Sequence, residues 1–274
     1  MMQAREQRGN KQNLPIGVFD SGIGGLTVLS VLRTMFPHED FIYVGDNANN
    51  PVGNRPNEEI SQIAMRIGHF LNTVPVKMAI VACNTFSVVS LDLLQKTFSF
   101  PVVGVSKGVR TAIDISPQKS IAIMATTATI NSHKHKEEAA QLAPQVSVYE
   151  QACPELAHLI EAGHTNDEMI TGIVKDYLAD STGRGADTIV LGCTHFPFLK
   201  SLMEQITGPE VVYVDPSYET AQEVKGLLEG HDLLNPKRTK GNLDICFTKD
   251  IDLAKRMTER LIPAGEFSIR EITL

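Results

Sequence analysis

Two short stretches hold the residue types from which thiol chemistry is built: Cys83-Asn84-Thr85 in "MAIVACNTFS" and Cys193-Thr194-His195 in "DTIVLGCTHF". Each follows an apolar run of strand length and precedes a segment that reads as a helix start. A thiol at such a junction faces the partial positive charge of a helix N-terminus, which favours thiolate and lowers the free-cysteine pKa of about 8.5. The default for any single cysteine is inert packing, because cysteine is among the most often buried residue types. Cys153 and Cys246 are read that way. Cys83 and Cys193, as a matched pair, point to function.

Three chemistries compete for that pair. A zinc site needs three or four ligands in recognisable spacings, and the chain has neither C-x-x-C nor H-x-x-x-H, so no metal is expected. A Cys–His hydrolase would use His195 to activate Cys83 as nucleophile, but it leaves Cys193 without a role. Inverting a carbon stereocentre by proton transfer needs a base on each face, one removing the proton and the other, protonated, returning it. Two strand-end thiols facing one small cavity meet that demand.

The elements that position these residues are legible from about residue 15 onward, where apolar runs alternate with amphipathic segments in the manner of parallel strands joined by helices. Strands are expected at "PIGVFD", "FIYVGD", "MAIVAC", "PVVGV", "SIAIMAT", "VSVYE", "DTIVLGC" and "VVYVD". Helices are expected over 25–35, 57–71, 87–97, 131–142, 167–178 and 219–228, with Pro56 and Gly230 as punctuation. From Asn242 the chain reads as strand, helix and strand. The cysteine motifs lie 110 positions apart, an echo that fits two similar lobes.

In open parallel sheets, ligands gather outside the carboxyl ends of strands, where helix N-termini also point. Site candidates are therefore Asp20-Ser21, Asp46, Cys83 to Thr85, Thr126 to Thr129, and Cys193 to His195. The loop "DSGIGGL", residues 20–26, has glycines spaced G-x-G-G rather than G-x-G-x-x-G, and Asp20 precedes it where a phosphate would be repelled. It reads as a tight strand-to-helix turn presenting Asp20 and Ser21, ahead of a nucleotide loop.

Composition narrows the partners. With 274 residues, a formal net charge of −7 and no long basic run, the chain is not expected to bind nucleic acid or an anionic membrane. No apolar stretch approaches the roughly 20 residues of a membrane helix. The opening "MMQAREQRGNKQN" is polar, without a secretory apolar core, and four widely spaced cysteines fit a reducing compartment, so a cytoplasmic protein is expected.

"DSGIGGLTVL", "YVGDNANNPVGNRP", "VACNTFS", "ATTATINS", "QACPELAHLIE" and "LGCTHFPFL" resemble, in order over residues 14–220, the motifs of the cofactor-independent glutamate racemases in the aspartate/glutamate racemase superfamily. The resemblance implies an α/β fold of two similar doubly wound domains whose parallel sheets face each other across an active-site cleft. The division it suggests is a flexible tail at 1–13, a first domain at 14–106 plus 216–274, and a second at 107–215.

Cys83 and Cys193 fall on that family's two catalytic thiols, with Asp20 assisting the first and His195 the second. Glu161, which alone would read as an exposed helix residue, falls on a supporting acid. Ser21, Asn84, Thr85, Thr126, Thr129 and Thr194, with Asp20, fall on positions holding the amino acid's charged groups, and Pro51, Val52 and Gly53 on a loop lining the site. No cofactor, a homodimer and supply of D-glutamate for peptidoglycan follow from the same resemblance.

The chain departs from the family at two places, the loop lining the site and the position beside one catalytic thiol. Where the family usually reads D-T-A-R-x-P-Y-G, this chain reads Asp46-Asn47-Ala48-Asn49-Asn50-Pro51-Val52-Gly53, and Phe86 stands where alanine is usual. A buried polar partner left unpaired costs about 1–3 kcal/mol, enough to shift substrate preference. The expectation is racemisation of an acidic amino acid, glutamate first, with aspartate or an inactive amino-acid-binding homologue as alternatives.

Overall fold

In this computed structural model, residues 11–274 are described. Strands β1 (Ile16–Asp20), β2 (Phe41–Gly45), β3 (Met78–Val81) and β4 (Val102–Gly104) lead to β5 (Ser120–Ala125), β6 (Ser147–Ala152), β7 (Thr188–Gly192) and β8 (Val212–Val214); β9 (Leu243–Phe247) and β10 (Ser268–Glu271) close the chain. Between them run α1 (Leu26–Met35), α2 (Asn57–Thr73), α3 (Asn84–Thr97), α4 (Val109–Ile115), α5 (Thr127–Asn131), α6 (Lys134–Leu142), α7 (Leu156–Glu161), α8 (Glu168–Gly183), α9 (Lys200–Thr207), α10 (Ser217–Gly230) and α11 (Ile251–Glu259).

The strands form two parallel sheets, ordered β10-β9-β2-β1-β3-β4 and β6-β5-β7-β8. The order β2-β1-β3-β4 in the first sheet repeats as β6-β5-β7-β8 in the second. In each sheet the chain reverses its direction of winding beside the first strand of the set, creating a topological switch point where such sheets bind ligands. Asp20 and Cys83 leave the carboxyl ends of β1 and β3, while Thr126 and Cys193 leave the corresponding ends of β5 and β7. The echo between the cysteine motifs is therefore a repeat of topology.

Local sequence explains these elements. Every residue of β1, β2, β3 and β7 is buried, as expected for parallel strands covered on both faces. Helix α2 buries Ile60, Ile63, Ala64, Ile67 and Leu71 at three- and four-residue spacing, and places Glu58 and Glu59 at its positive first turn.

Several boundaries depart from expectation. Helix α3 starts at Asn84, directly after Cys83, rather than at residue 87. The helix expected over 131–142 is broken by His133, whose φ of 52° ends α5 and starts α6. Helices α4, α5 and α7 fall outside the expected ranges, α5 but for its last residue, because seven, five and six residues give too little periodicity to register. After Cys193 the chain makes a 3-10 turn, Phe196–Leu199, before α9, so Cys193 does not open a helix as the sequence suggested.

Residues 1–10 of the expected tail lie outside the described residues. Its last part is anchored: Gln12 Nε2 donates to the Asp232 carbonyl at 3.0 Å, and Lys77 Nζ donates to the Gln12 carbonyl at 2.9 Å. Lys77 also makes a buried ion pair with Glu39.

One buried histidine makes stability pH-dependent. His135 on α6 is 1% exposed, and neither ring nitrogen has a partner among the described residues. Burial, and then the Lys107 charge, push its pKa down to about 4. Between pH 4 and about 6.5 the unfolded chain binds the proton that the folded chain refuses, so stability falls as pH drops through this window, by about 3 kcal/mol at most. His135→Leu is expected to flatten the melting-temperature curve from pH 6.5 to 4.5 by several degrees; parallel curves for the two proteins would remove His135 from the account.

Candidate functional site

The site is assembled where the carboxyl ends of the two sheets meet. Cys83 is the N-cap of α3, its carbonyl accepting the Ser87 N–H at 2.9 Å, and its sulfur lies 3.7 Å from Ser21 Oγ. Cys193 follows β7, and its sulfur lies 3.6 Å from His195 Nδ1. The two cysteines are each 5% exposed and line one cavity.

Asp20 and Glu161 act from behind that cavity. Asp20 is fully buried; Oδ1 accepts the Gly22 N–H at 2.9 Å and Oδ2 the Thr194 hydroxyl at 3.1 Å. Glu161, at the end of α7, accepts the Ile23 N–H at 2.8 Å and pairs with His195 Nε2 at 2.6 Å through the same oxygen, Oε1. Cys193, His195 and Glu161 thus form a relay from the cavity to the second layer.

Glycines in "DSGIGGL" permit this approach. A Cβ at Gly24 would lie 2.6 Å from His195 Nδ1, and one at Gly22 would lie 2.6 Å from Asn50 Nδ2 and against the Glu161 carboxylate. The loop's missing side chains therefore make room for Glu161 and His195 of the other lobe and for Asn50 of its own, rather than for a phosphate.

Three hydroxyls meet at the other end. Thr85 Oγ1 and Thr126 Oγ1 are 2.9 Å apart, and the Thr126 hydroxyl donates to Thr129 Oγ1 at 3.0 Å. Thr126 caps α5. The Ala128 N–H donates to the Gly53 carbonyl at 2.9 Å, pinning the loop after β2 to the second lobe.

Of the residues singled out from sequence, Ser21, Pro51, Val52, Gly53, Asn84 and Thr85 line the cavity from the first lobe. Thr126, Thr194 and His195 line it from the second. Asp20, Thr129 and Glu161 stand one layer back. Sequence reading missed Asn50 and Ala157, which also line it; Asn50 sits inside the loop already marked, and its polar side chain beside Pro51 was the available signal.

The departures from the family pattern are spread more widely than their positions suggested. Asn47 Nδ2 donates to the Lys249 carbonyl at 3.3 Å and Asn49 Nδ2 to Asp46 Oδ2 at 2.8 Å, so both tie the loop down without reaching the cavity. Phe86 points into the core, its ring centroid 6.3 Å from that of Phe19. Only Val52 of the four lines the cavity.

Electrostatics distinguish the two thiols. Burial, and then the Asp20 carboxylate, push the Cys83 thiol up, overriding the helix N-terminus that was expected to lower it; the Phe86 N–H alone opposes them on the backbone side. For His195, burial works against the charged ring, but hydrogen bonds and charges from Cys193 and Glu161 outweigh it and hold the imidazole well above its usual range. Burial also raises the Asp20 carboxyl, with partial relief from His195 and the Gly22 N–H. Cys83 therefore rests as a thiol beside a carboxylate, whereas the Cys193 sulfur rests beside an imidazolium.

The cavity is tightly closed, leaving about 20 Å³ for the centres of water-sized spheres, room for about one water. A larger cavity of about 580 Å³ lies along β4 and α3 near Lys107 and Glu223, but it has no thiol or imidazole on its walls. Among the described residues, no cluster of three His, Cys, Asp or Glu side chains could hold a metal, and no helix is long and apolar enough to cross a membrane.

Comparison with known proteins places this geometry in a family. The chain is 43% identical over 230 residues to a glutamate racemase from Herpetosiphon aurantiacus, covering 84% of this chain and 91% of the relative. It is 33% identical to one from Levilactobacillus brevis, covering 96% and 98%. A glutamate racemase isoform from Bacillus anthracis superposes with a TM-score of 0.86 at 31% identity, covering 96% of this chain and 98% of that one. The Francisella tularensis glutamate racemase in complex with D-glutamate superposes with 0.85 at 30% identity over the same shares. The pattern of the Asp/Glu/Hydantoin racemases itself matches residues 27–224. With that match spanning most of its length and both lobes, the chain belongs to the Asp/Glu/hydantoin racemase family.

Proposed function

We propose that the protein interconverts L- and D-glutamate by a two-base mechanism without a cofactor, Cys83 and Cys193 serving opposite faces of the α-carbon. The observation carrying this reading is the pair of buried thiols at equivalent strand ends of two repeated sheets, lining one cavity. In one direction the Cys193 thiolate takes the α-proton, breaking Cα–H and forming S–H, while the Cys83 thiol delivers its proton to the other face. In the reverse direction the roles exchange.

The resting asymmetry sets the first of these directions ready to start. The His195 imidazolium supplies a charge partner to sulfur at Cys193, and the proton held at Cys83 is the one the product receives. Ser21 and Thr194 hold the ammonium, with Asp20 behind Thr194; Asn84 and the hydroxyls of Thr85 and Thr126, with Thr129 behind them, hold a carboxylate, in a site where fixed dipoles stabilise negative charge that develops on the α-carbon and its carboxyl group. The lobes must part to admit substrate, because the closed cavity is smaller than an amino acid. The same reading places the protein in the cytoplasm as a homodimer supplying D-glutamate for peptidoglycan.

The test is incubation in deuterated water without added cofactor. L-glutamate is expected to yield D-glutamate carrying α-deuterium, with L-aspartate turned over more slowly. No exchange from either amino acid would overturn the reading, and faster turnover of aspartate would replace the substrate.

A further inference from the structure

Asn50 combines two properties that the mechanism above leaves unused. It lines the cavity that holds both thiols, and its Nδ2 is buried without an acceptor among the described residues. Buried amide donors are almost always paired, so one left open on the wall of a site marks a place for an incoming acceptor.

Among the described residues, none of the neighbouring groups accepts from it. Glu161 Oε1, which approaches the same face of Gly22 as Asn50 Nδ2, accepts the Ile23 N–H at 2.8 Å and pairs with His195 Nε2, filling both its lone pairs. Asn49 is bonded to Asp46, and the Val52 side chain brings no donor. The loop also spans the cavity: at its far end a Cβ on Gly53 would lie 2.6 Å from Thr126 Cβ, beside the hydroxyl cluster.

We infer that Asn50 contacts substrate directly, its Nδ2 N–H donating to the carboxylate oxygen of a dicarboxylic amino acid at the end away from Thr85 and Thr126. The inference rests on the acidic-amino-acid reading above and sharpens it. Asn50 at one end of the cavity and the Thr85 and Thr126 hydroxyls at the other measure the separation of two carboxylates, so Asn50 discriminates glutamate from aspartate, which is one methylene shorter.

Steady-state kinetics and calorimetric titration with D-glutamate, on wild type, Asn50→Ala and Asn50→Asp, test the contact. Loss of a hydrogen bond to a charged group is expected to raise KM and Kd for glutamate roughly 10- to 100-fold in Asn50→Ala, with kcat changed less than about threefold. Preference for glutamate over aspartate is expected to shrink in the same variant. Asn50→Asp, which sets a charge against the carboxylate, should raise KM at least as far. The melting temperature of ligand-free Asn50→Ala should equal or exceed that of wild type, because an open buried donor has been removed.

Unchanged KM and Kd in both variants, with wild type active on glutamate, would overturn the contact and leave the proposed function standing. A fall in kcat with a moved pH profile and fixed KM would also overturn it, assigning Asn50 to the support of Glu161. Absence of both turnover and binding in wild type would remove the substrate reading and the contact together.

Discussion

Serine at position 83 or 193 is expected to lower glutamate racemisation by roughly 10²- to 10⁴-fold, the contribution of a positioned proton-transfer group. Serine is close in size to cysteine and both sites are 5% exposed, so neither change opens a large void. What is lost is a sulfur, which exchanges a proton far more readily than a hydroxyl oxygen does. The two variants should nevertheless differ. Cys83→Ser keeps the Cys193–His195 pair, and so retains proton abstraction from the enantiomer whose α-hydrogen faces Cys193. Cys193→Ser keeps Cys83 and the reverse choice.

In deuterated water each variant should therefore wash deuterium into one enantiomer without inverting it, and the two should select opposite enantiomers. Nuclear magnetic resonance of the α-proton in separate D- and L-glutamate incubations reads this directly. Wild-type interconversion by either variant, or exchange of the same enantiomer by both, would refute the two-face arrangement.

Much of this arrangement was legible in the sequence because it depends on local pattern. Parallel strands buried on both faces read as uninterrupted apolar runs, and each ends where a polar residue must emerge, which marked Asp20, Cys83, Thr126 and Cys193 together. Relations between lobes were not legible. That Phe86 turns into the core, or that Asn47 and Asn49 are consumed holding the loop, depends on which face of an element each side chain takes. The thiol at Cys83 shows the same limit: its place at a helix start was readable, but burial and an aspartate from another strand end reverse the expected effect. Asn50 was passed over because its meaning lies in a missing partner, a property of three-dimensional packing alone.

Glu161→Gln is expected to lower kcat/KM at neutral pH by roughly 10- to 100-fold and to move the alkaline limb of the profile to lower pH. Glu161 is a positioning residue, separated from the cavity by His195. Its carboxylate, 2.6 Å from His195 Nε2 and 13% exposed, is one of two negative neighbours that keep the buried imidazole charged. Glutamine preserves shape and an acceptor oxygen but removes the charge, so burial regains its hold and the ring loses its proton at lower pH. The limb reports loss of the His195 proton, held 3.6 Å from the Cys193 sulfur.

Stability should follow with a defined sign. A histidine whose folded pKa is raised stabilises fully below its unfolded value of about 6.5, and that contribution is lost as pH rises through the folded value. The melting-temperature gap between wild type and Glu161→Gln should thus be widest at pH 6.5 and just below, and should narrow at alkaline pH. A purely structural role for Glu161 would give a pH-independent gap and an unmoved limb, and that pair of results would detach Glu161 from the chemistry of Cys193.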